Sequence, residues 1–525
     1  MADFDLYEYI RTSYRGISAY ADSLDEQILK KIHIQTSLDK SVSKAISAGK
    51  SVVLTGNPGD GKTHLLRVLE PKIKKANPKS IVELDASEKL NDDIVKSWKK
   101  AQRVKAPFCI AINEAVLFEL AKLNPSFQPV VQAQEQVANA IFYAERNEKI
   151  AKPPKSDVAV FDLSRRNVLT EQIVNSALDK FCNCTFPPEC DGIYEISDHA
   201  QLANDTLFKS RLQFLFDRLV RRGFHCTLRE LVGFIGFLLG KGLTPDELAE
   251  STGNAENFLT ELIFSKDAKG TLFQAIRNGF DPGHICHPVL DTRIVSNEIA
   301  SDTWSTEEAE LFHSADVDDV EEIEARRRRF YFLNQMGEQL VNINSDVDSG
   351  FAKLLTLKSD RDVLREIIPK INRAFRFTQN LDGVRVWRNH HFADTPKHEM
   401  LLSDQTVARR EFCVLYPNLS SPMSEAFEYL PNHLAIQVKD EPSTRFRIDF
   451  EMYQFLCSTE LGASISSAPS HIERKLWQFM QRLALTRKDV DEEVELVIFD
   501  LETNELTQLV VDTEESRYIT IESAR

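Results

Sequence analysis

The order of apolar and polar positions changes several times along the chain. Residues 1–50 read as polar and helical, with apolar residues recurring at helical spacing from Ile34 to Ile46. Ser51-Val52-Val53-Leu54-Thr55 is then a β-branched run closed by Gly56, the pattern of a buried strand. A helix pattern starts at Thr63 and is expected to end or kink at Pro71. Further strand runs are Ser80–Leu84, Phe108–Ile112 and Val158–Leu163, with a polar helix over about 87–104 and helical patterns over 114–148. Strands that are apolar along most of their length and alternate with helices predict a parallel α/β sheet covered on both faces.

From 165 to about 380 the signal is mainly helical. Leu228–Leu239 is apolar nearly all round, which makes it a central helix. Thr227, with Glu230 three residues on, reads as its capping box. After Asn380 strands and helices mix, and Val494–Phe499 and Leu506–Val511 flank Glu502-Thr503-Asn504 as a hairpin. Composition changes little in this picture: 525 residues, 42% hydrophobic and 27% charged, suit a globular chain of about three domains. The net charge of −16 argues against polyanion binding by the whole surface, but not by a local basic patch. No apolar run is long enough to span a membrane, and eight cysteines in so long a chain are no disulfide framework. With no signal pattern at Met1–Asp5, the expected location is the cytoplasm.

The strongest chemical signal is Gly56-Asn57-Pro58-Gly59-Asp60-Gly61-Lys62-Thr63, followed by His64. It matches G-x-x-x-x-G-K-[ST] between a strand and a helix. The glycines let backbone N–H groups turn toward phosphate oxygens, and the helix start adds its positive dipole end. Lys62 is expected to bridge the β- and γ-phosphates of ATP, and the Thr63 hydroxyl to ligate Mg²⁺. Asn113-Glu114 closes the Phe108–Ile112 strand at the end where α/β sheets bind ligands. Asn113 takes the metal-side position without a charge, and Glu114 is the candidate that polarises the attacking water. The loss of charge at Asn113 weakens the hold on Mg²⁺ and puts fast hydrolysis in doubt.

Three further sets follow. Asn167, or alternatively Ser164, is a candidate γ-phosphate sensor. Arg165 and Arg166 read either as an arginine finger acting on a neighbouring subunit or as a solvated basic turn. Arg229, at the start of the apolar helix, resembles the lid arginine of AAA+ ATPases that reaches the γ-phosphate, or is part of a surface network. Cys182, Cys184 and Cys190, with His199, are a candidate zinc site, although reduced structural cysteines are the commoner meaning of such spacing. From Lys358 to His391 eight basic residues face four acidic ones, with Phe375, Phe377 and Trp387 interleaved. That segment meets DNA backbone or, more commonly, is a helix with its charges in water. Arg326–Arg329 follows Glu321, Glu322 and Glu324, so i,i+4 pairing accounts for most of the run.

Taken together, these residues resemble the DptF family, the P-loop ATPases of DNA phosphorothioation-dependent restriction in bacterial antiphage defence. The resemblance rests on Leu54–His64, Ile110–Glu114, the cysteine-bearing stretch 182–190 and Thr227–Phe234. It extends to Asp281-Pro282-Gly283, His287-Pro288 and Arg447–Tyr453, and so spans most of the chain. It implies an AAA+-like P-loop NTPase domain, then a helical lid and helical region, then a mixed α/β C-terminal domain. The expected bounds are 1–34 for an N-terminal helical segment, 35–176 for the ATPase core and 177–300 for the lid with its cysteine-bearing insertion. A helical region over 301–380 and the C-terminal domain over 381–525 complete them. The Asn113-Glu114 pair departs from AAA+ proteins at large and is normal for this group. The resemblance further implies an oligomeric ATPase that works with DptG- and DptH-like subunits on DNA lacking the host's mark. No nuclease constellation is visible in the sequence, so cutting is expected of a partner. The alternative is a nucleotide-gated scaffold that binds ATP and hydrolyses little.

Overall fold

The computed structural model describes residues 6–15, 26–86, 89–145, 156–182, 194–244, 246–247, 258–295, 320–338, 340, 346–357, 359–379, 381–391, 399–486, 493–500, 503, 505–512 and 517–521. The chain is an α/β protein with a parallel sheet among helices, a helical middle and antiparallel sheets toward the C-terminus. Two units divide it. The first takes in Met1–Phe142, Ile150–Asp346 and Asn418–Leu430, and the second Tyr143–Lys149, Val347–Pro417 and Pro431–Arg525.

In chain order the first unit begins α1 (Leu6–Tyr14), α2 (Glu26–Ile32), α3 (Ser37–Ser47), β1 (Ser51–Thr55), α4 (Lys62–Ala76) and β2 (Ile81–Glu83). It continues α5 (Asn91–Arg103), β3 (Phe108–Ala111), α6 (Glu114–Leu123), α7 (Gln128–Ala138), β4 (Ile141–Glu145) and β5 (Val158–Asp162). The four strands β2, β3, β1 and β5 lie side by side in that order, each pair parallel. Because side chains alternate along a strand, each strand feeds two cores. Val52, Leu54, Cys109 and Phe161 enter one, with Leu66 and Leu69 of α4. Val53, Ile110 and Val160 enter the other, with Trp98 of α5 and Leu117 of α6. The sheet is therefore covered on both faces, as its apolar strands predict.

The structure adds to two local expectations: α4 does not end at Pro71, and the 114–148 helix is interrupted. Pro71 sits inside α4, which runs on to Ala76. The lost N–H bond is tolerated because Leu65, Leu66, Leu69 and Ile73 keep one buried face across it. Helix over 114–148 is likewise broken, since β4 occupies Ile141–Glu145. A third feature has no local signal. Leu419, Met423 and Phe427, far down the chain, enter the same core as β1 and α4. The Met423 sulfur accepts the Asp162 N–H at 3.4 Å.

The helical part adds α8 (Glu171–Cys182), α9 (Tyr194–Asn204), α10 (Thr206–Arg221) and α11 (Leu228–Gly240). The capping box at the start of α11 is formed, with the Thr227 side chain accepting the Glu230 N–H. Every residue of α11 from Leu231 to Gly240 is buried. Gly233, Gly236 and Gly240 recur at helical spacing and make the face against α1. A Cβ at Gly236 would overlap the Ile10 carbonyl oxygen, and one at Gly240 the Tyr7 hydroxyl. The Arg326–Arg329 run lies in the helix Val320–Leu333 and is not mainly i,i+4 paired. Glu324–Arg328 is such a pair, but Arg327 binds Asp291 at 2.8 Å, Arg328 binds Asp281 at 2.7 Å and Arg329 binds Glu261 at 3.4 Å. The side chains of Glu321 and Glu322 lie outside the described residues.

In the second unit β6 (Gly383–His391), β7 (Glu399–Ala408), β11 (Glu493–Asp500), β12 (Leu506–Asp512) and β13 (Arg517–Ile521) make one five-stranded antiparallel sheet. The expected hairpin is its β11–β12 pair. A second sheet runs β10 (Glu441–Asp449), β9 (His433–Val438), β8 (Phe412–Leu419) and β4. The aromatic residues of the basic segment are structural, while Arg361, Arg365, Arg376 and Arg388 are exposed. Phe375, Phe377 and Trp387 are buried in the core, Lys370 and Arg373 share Glu460, and buried Arg385 donates to the Ser403 hydroxyl. Its rings are thus not offered to bases, and Lys358 lies outside the described residues. Among the described residues no helix is long and apolar enough to cross a membrane.

The glycine face of α11 sets a packing prediction. Gly236→Ala pushes α1 off α11 and is expected to cost roughly 1–3 kcal/mol in urea denaturation. Gly233→Ala, whose Cβ would meet the Tyr14 backbone at 3.3 Å, costs less. Equal midpoints for wild type and Gly236→Ala would show that α1 does not depend on this contact.

Candidate functional site

The turn from β1 into α4 is built by glycines. Gly56, Gly59 and Gly61 have φ of 136°, 99° and 88°, a region that L side chains rarely adopt. Asp60 is only 2% exposed and closes the turn, its Oδ2 accepting the Asn57 N–H at 2.6 Å. Lys62 curls back, its ammonium donating to the carbonyl oxygens of Gly56 at 2.9 Å and Asn57 at 2.8 Å. Burial pushes the Lys62 pKa down, against the pull of Asp60, Asp85 and Asp162. Thr63 Oγ1 donates to the Leu84 carbonyl at 3.1 Å, which ties the loop helix to the end of β2.

The start of α11 is seated on this loop. The Arg229 N–H donates to the Gly59 carbonyl at 3.2 Å, and His225 Nε2 stands 3.3 Å from Asp60 Oδ1. A side chain at Gly59 would meet Thr227 Oγ1 at 3.2 Å, so glycine also permits this approach.

Between loop and α11 lies a cavity of about 450 Å³, within the range of small-molecule sites. Lys62, Thr63, Asp85, Asn113, Arg166 and Arg229 line it. Pro58, Gly59, Gly61 and His64 also line it, while Gly56, Asn57 and Asp60 shape the turn behind. Asn113 is the N-cap of α6 and spends no side-chain hydrogen bond on the cap. Arg166 is 6% exposed, and its Nη2 has no hydrogen-bond partner among the described residues. Burial lowers its pKa to about 10, opposed by Asp39, Asp60 and Glu428.

Several expected residues do not reach the cavity. Glu114 is exposed at the start of α6 and is not among the lining residues. Asn167 turns inward on its own loop, its Oδ1 accepting the Leu169 N–H at 3.0 Å. Ser164 binds Asp162 at 2.7 Å, and exposed Arg165 pairs with the same carboxylate at 3.3 Å. Of the zinc candidates, Cys182 is buried and in no disulfide among the described residues, and Cys184 and Cys190 lie outside them. No grouping of His, Cys, Asp and Glu among the described residues could hold a metal ion.

Sequence reasoning missed Asp85. Strand order explains its place, because β3 lies between β2 and the loop strand β1. The carboxylate thus comes from the strand two away, and Asn113 from the adjacent one. An acid directly after the apolar run ending at Leu84 was the available signal, masked by the charge of Glu83. The second omission is the wall formed by Tyr9, His33, Ile34, Thr36 and Asp39. There His33 Nε2 is 2.7 Å from Asp39 Oδ1, and His33 Nδ1 is 3.2 Å from His64 Nε2. Asp39 Oδ2 also accepts the Thr36 N–H at 2.9 Å. Burial raises the Asp39 pKa, but the bonds from His33 and Thr36 outweigh it and hold the carboxyl below its ordinary range. Burial and the neighbouring His33 lower His64 from 6.5 to about 4.

The lining brings the cations Lys62, Arg166 and Arg229 together with the Asp85 carboxylate and the Asn113 amide, a set of groups that can hold an anion. Stability should carry the signature of His64. The unfolded chain takes up its proton near pH 6.5, the folded chain only near 4, so stability is full above that window and falls as pH drops through it. The loss amounts to about 1–3 kcal/mol. His433 of the second unit, also held at about 4, has the same sign, so the readout is the difference between wild type and His64→Phe. Urea midpoints from pH 7 to 4 should fall more steeply in wild type, and parallel curves would refute the assignment. Comparison of the chain with protein-family models, with curated proteins and with solved structures gave no match.

Proposed function

We propose that this chain binds ATP with Mg²⁺ and hydrolyses it slowly, as the nucleotide-driven switch of a DNA restriction or antiphage complex whose nuclease is a partner. One observation carries the nucleotide reading: Lys62, Thr63, Asp85, Asn113, Arg166 and Arg229 converge on one cavity. The orphaned Arg166 Nη2 supports an anionic occupant, since a buried guanidinium donor without a partner is costly. Lys62 exchanges two loop carbonyls for phosphate oxygens, a stronger, charge-assisted bond. Thr63 and Asp85 would hold Mg²⁺, Asp85 supplying the charge that Asn113 lacks. Bound Mg²⁺ would neutralise charge on the phosphate oxygens. Arg229 brings its charge from the start of α11, so the lid helix and the nucleotide act on each other. Arg166 is read here as acting within its own subunit, and Arg165 is the arginine left at the surface for a neighbour.

The defence context rests on the resemblance to restriction ATPases, and with it the oligomeric state, the DptG- and DptH-like partners and any contact with DNA. The scaffold alternative draws on two features of the site. Asn113 is uncharged, and Glu114 is exposed outside the cavity, which leaves Asp85 and the His33-paired Asp39 as the lining carboxylates.

Phosphate release with Mg²⁺-ATP, with and without duplex DNA, tests the reading. Lys62→Ala and Asp85→Asn are expected to lower turnover by about a hundredfold or more, and Glu114→Gln by less than about threefold. Full activity in Asp85→Asn would remove Asp85 from the site. Tight ATP binding with no turnover in wild type would favour the scaffold.

A further inference from the structure

Two stretches of the first unit carry positive charge without any acid. Residues 71–82 hold Lys72, Lys74, Lys75 and Lys79, and residues 97–109 hold Lys99, Lys100, Arg103 and Lys105. Neither contains Asp or Glu, in a chain whose net charge is −16. The topology brings them together. α4 and α5 each run back from the loop end of the sheet and finish at the start of the next strand, β2 or β3, and these strands are neighbours. Ile81 and Phe108, the first residues of the two strands, are paired, and the Ile81 N–H donates to the Pro107 carbonyl at 3.2 Å. The two turns therefore lie about 5 Å apart, one strand spacing, at the end of the sheet opposite the loop. All eight basic residues are exposed, and none is in an ion pair among the described residues. Lys74 donates to the Ser80 carbonyl at 2.6 Å rather than to an acid. Acids stand around this patch but not in it. Glu70 lies one turn back on α4, Asp92 and Asp93 open α5 at its other end, and Asp157 precedes β5, two strands beyond β3. Helix ends explain part of the charge, because Lys74, Lys75, Lys100 and Arg103 lie in last turns, at the negative end of the helix dipole. Lys79 and Lys105 lie beyond the helices. Lys105 has a φ of 51°, a conformation that glycine or asparagine adopts more cheaply.

We propose that this end of the sheet binds the phosphate backbone of a nucleic-acid duplex without reading its bases. The patch offers charge and little apolar surface. The apolar side of α5, made by Ile94, Val95, Trp98 and Ala101, is buried, and Val104 is the large apolar side chain exposed beside the cations. A membrane surface or a protein partner would call for an apolar anchor as well. A polyphosphate chain needs spaced, unpaired cations, and these are what the two turns present. The patch stands apart from the cavity, so the proposal does not rest on the nucleotide reading.

Fluorescence anisotropy of a labelled DNA duplex with the full chain, without nucleotide and across a salt series, tests this. With about four phosphates neutralised, wild-type affinity should fall about a hundredfold for a roughly fourfold rise in salt. Lys75→Glu/Lys79→Glu/Arg103→Glu/Lys105→Glu should weaken binding by about tenfold or more at fixed salt and flatten the salt dependence. A matched control in the second unit, Arg361→Glu/Arg365→Glu/Arg376→Glu/Arg388→Glu, makes the same change in net charge and should stay within about threefold of wild type. Circular dichroism checks that each variant folds. Should the patch reversal not fold, Lys79→Gln with Lys105→Gln, outside the helices, is expected to lower affinity by about threefold or more. No duplex binding by wild type at low salt, equal losses in patch and control variants, or full binding by the patch variants would overturn the proposal. So would binding to anionic phospholipid vesicles in place of duplex, which would make the patch a membrane surface. Lys62→Ala should bind duplex as wild type does, and a loss there would place the duplex at the cavity and overturn the patch.

Discussion

The first unit is organised around buried positive charge. Lys62 is held by two backbone carbonyls, and Arg166 is buried with one nitrogen unpartnered. Neither arrangement is favourable for a cation by itself, because burial penalises the charged form and neutral acceptors return only part of that cost. The turn is held ready by Asp60, which is itself buried and carries a compensating negative charge. Acids surround these cations without forming close pairs with them: Asp60, Asp85 and Asp162 act on Lys62, and Asp39 and Asp60 on Arg166. The site is therefore near electrical balance but poor in direct contacts, which suits a place for a polyanion brought with its own cation.

That balance is shared with the helical part through few groups. Asp60 meets His225, Gly59 meets Arg229 and Thr227, and all three belong to the segment that opens α11. The capping box of Thr227 and Glu230 makes that segment rigid, so a shift at the loop is passed to the whole helix. On its other side α11 meets α1 through glycines too small to absorb movement. Tyr9 of α1 in turn lines the cavity. The N-terminal helix α1, α11 and the loop thus form a closed circuit of contacts around the cavity.

Legibility followed how local each signal was. The glycine-rich loop, its strand, the apolar helix α11 and its capping box are written in consecutive residues, and each was readable. The covered parallel sheet was readable because strands such as Val52–Leu54 and Phe108–Ile112 are apolar without alternation. Asp85 was not, since what makes it part of the site is strand order, and order depends on pairing between segments far apart in the chain. Arg165 and Arg166 are adjacent, and no sequence rule says which one turns inward. Met423 and Phe427 join the sheet's core across more than half the chain, and the histidine wall assembles from α2, α3 and α4. Pro71 misled because the helix rule counts a lost bond, while the buried face of α4 outweighs it.

If the cavity takes a nucleotide as proposed, the polar groups at the tip of the sheet bear on how it would act. A carboxylate on the strand adjacent to the loop would sit close to the metal and bind it strongly. With Asn113 there, the amide orients but contributes no net charge, and the nearest acid comes from one strand further out. On the proposed reading, metal affinity would depend more on the phosphates and less on the protein, so Mg²⁺ would be best held when the nucleotide is complete. Water activation would have the same dependence, because Glu114 stands outside the cavity. A site of this kind would favour a long-lived bound state over rapid cycling. The contacts of Arg229 and His225 with the loop would carry that state into α11, which is what a switch requires and a fast motor does not.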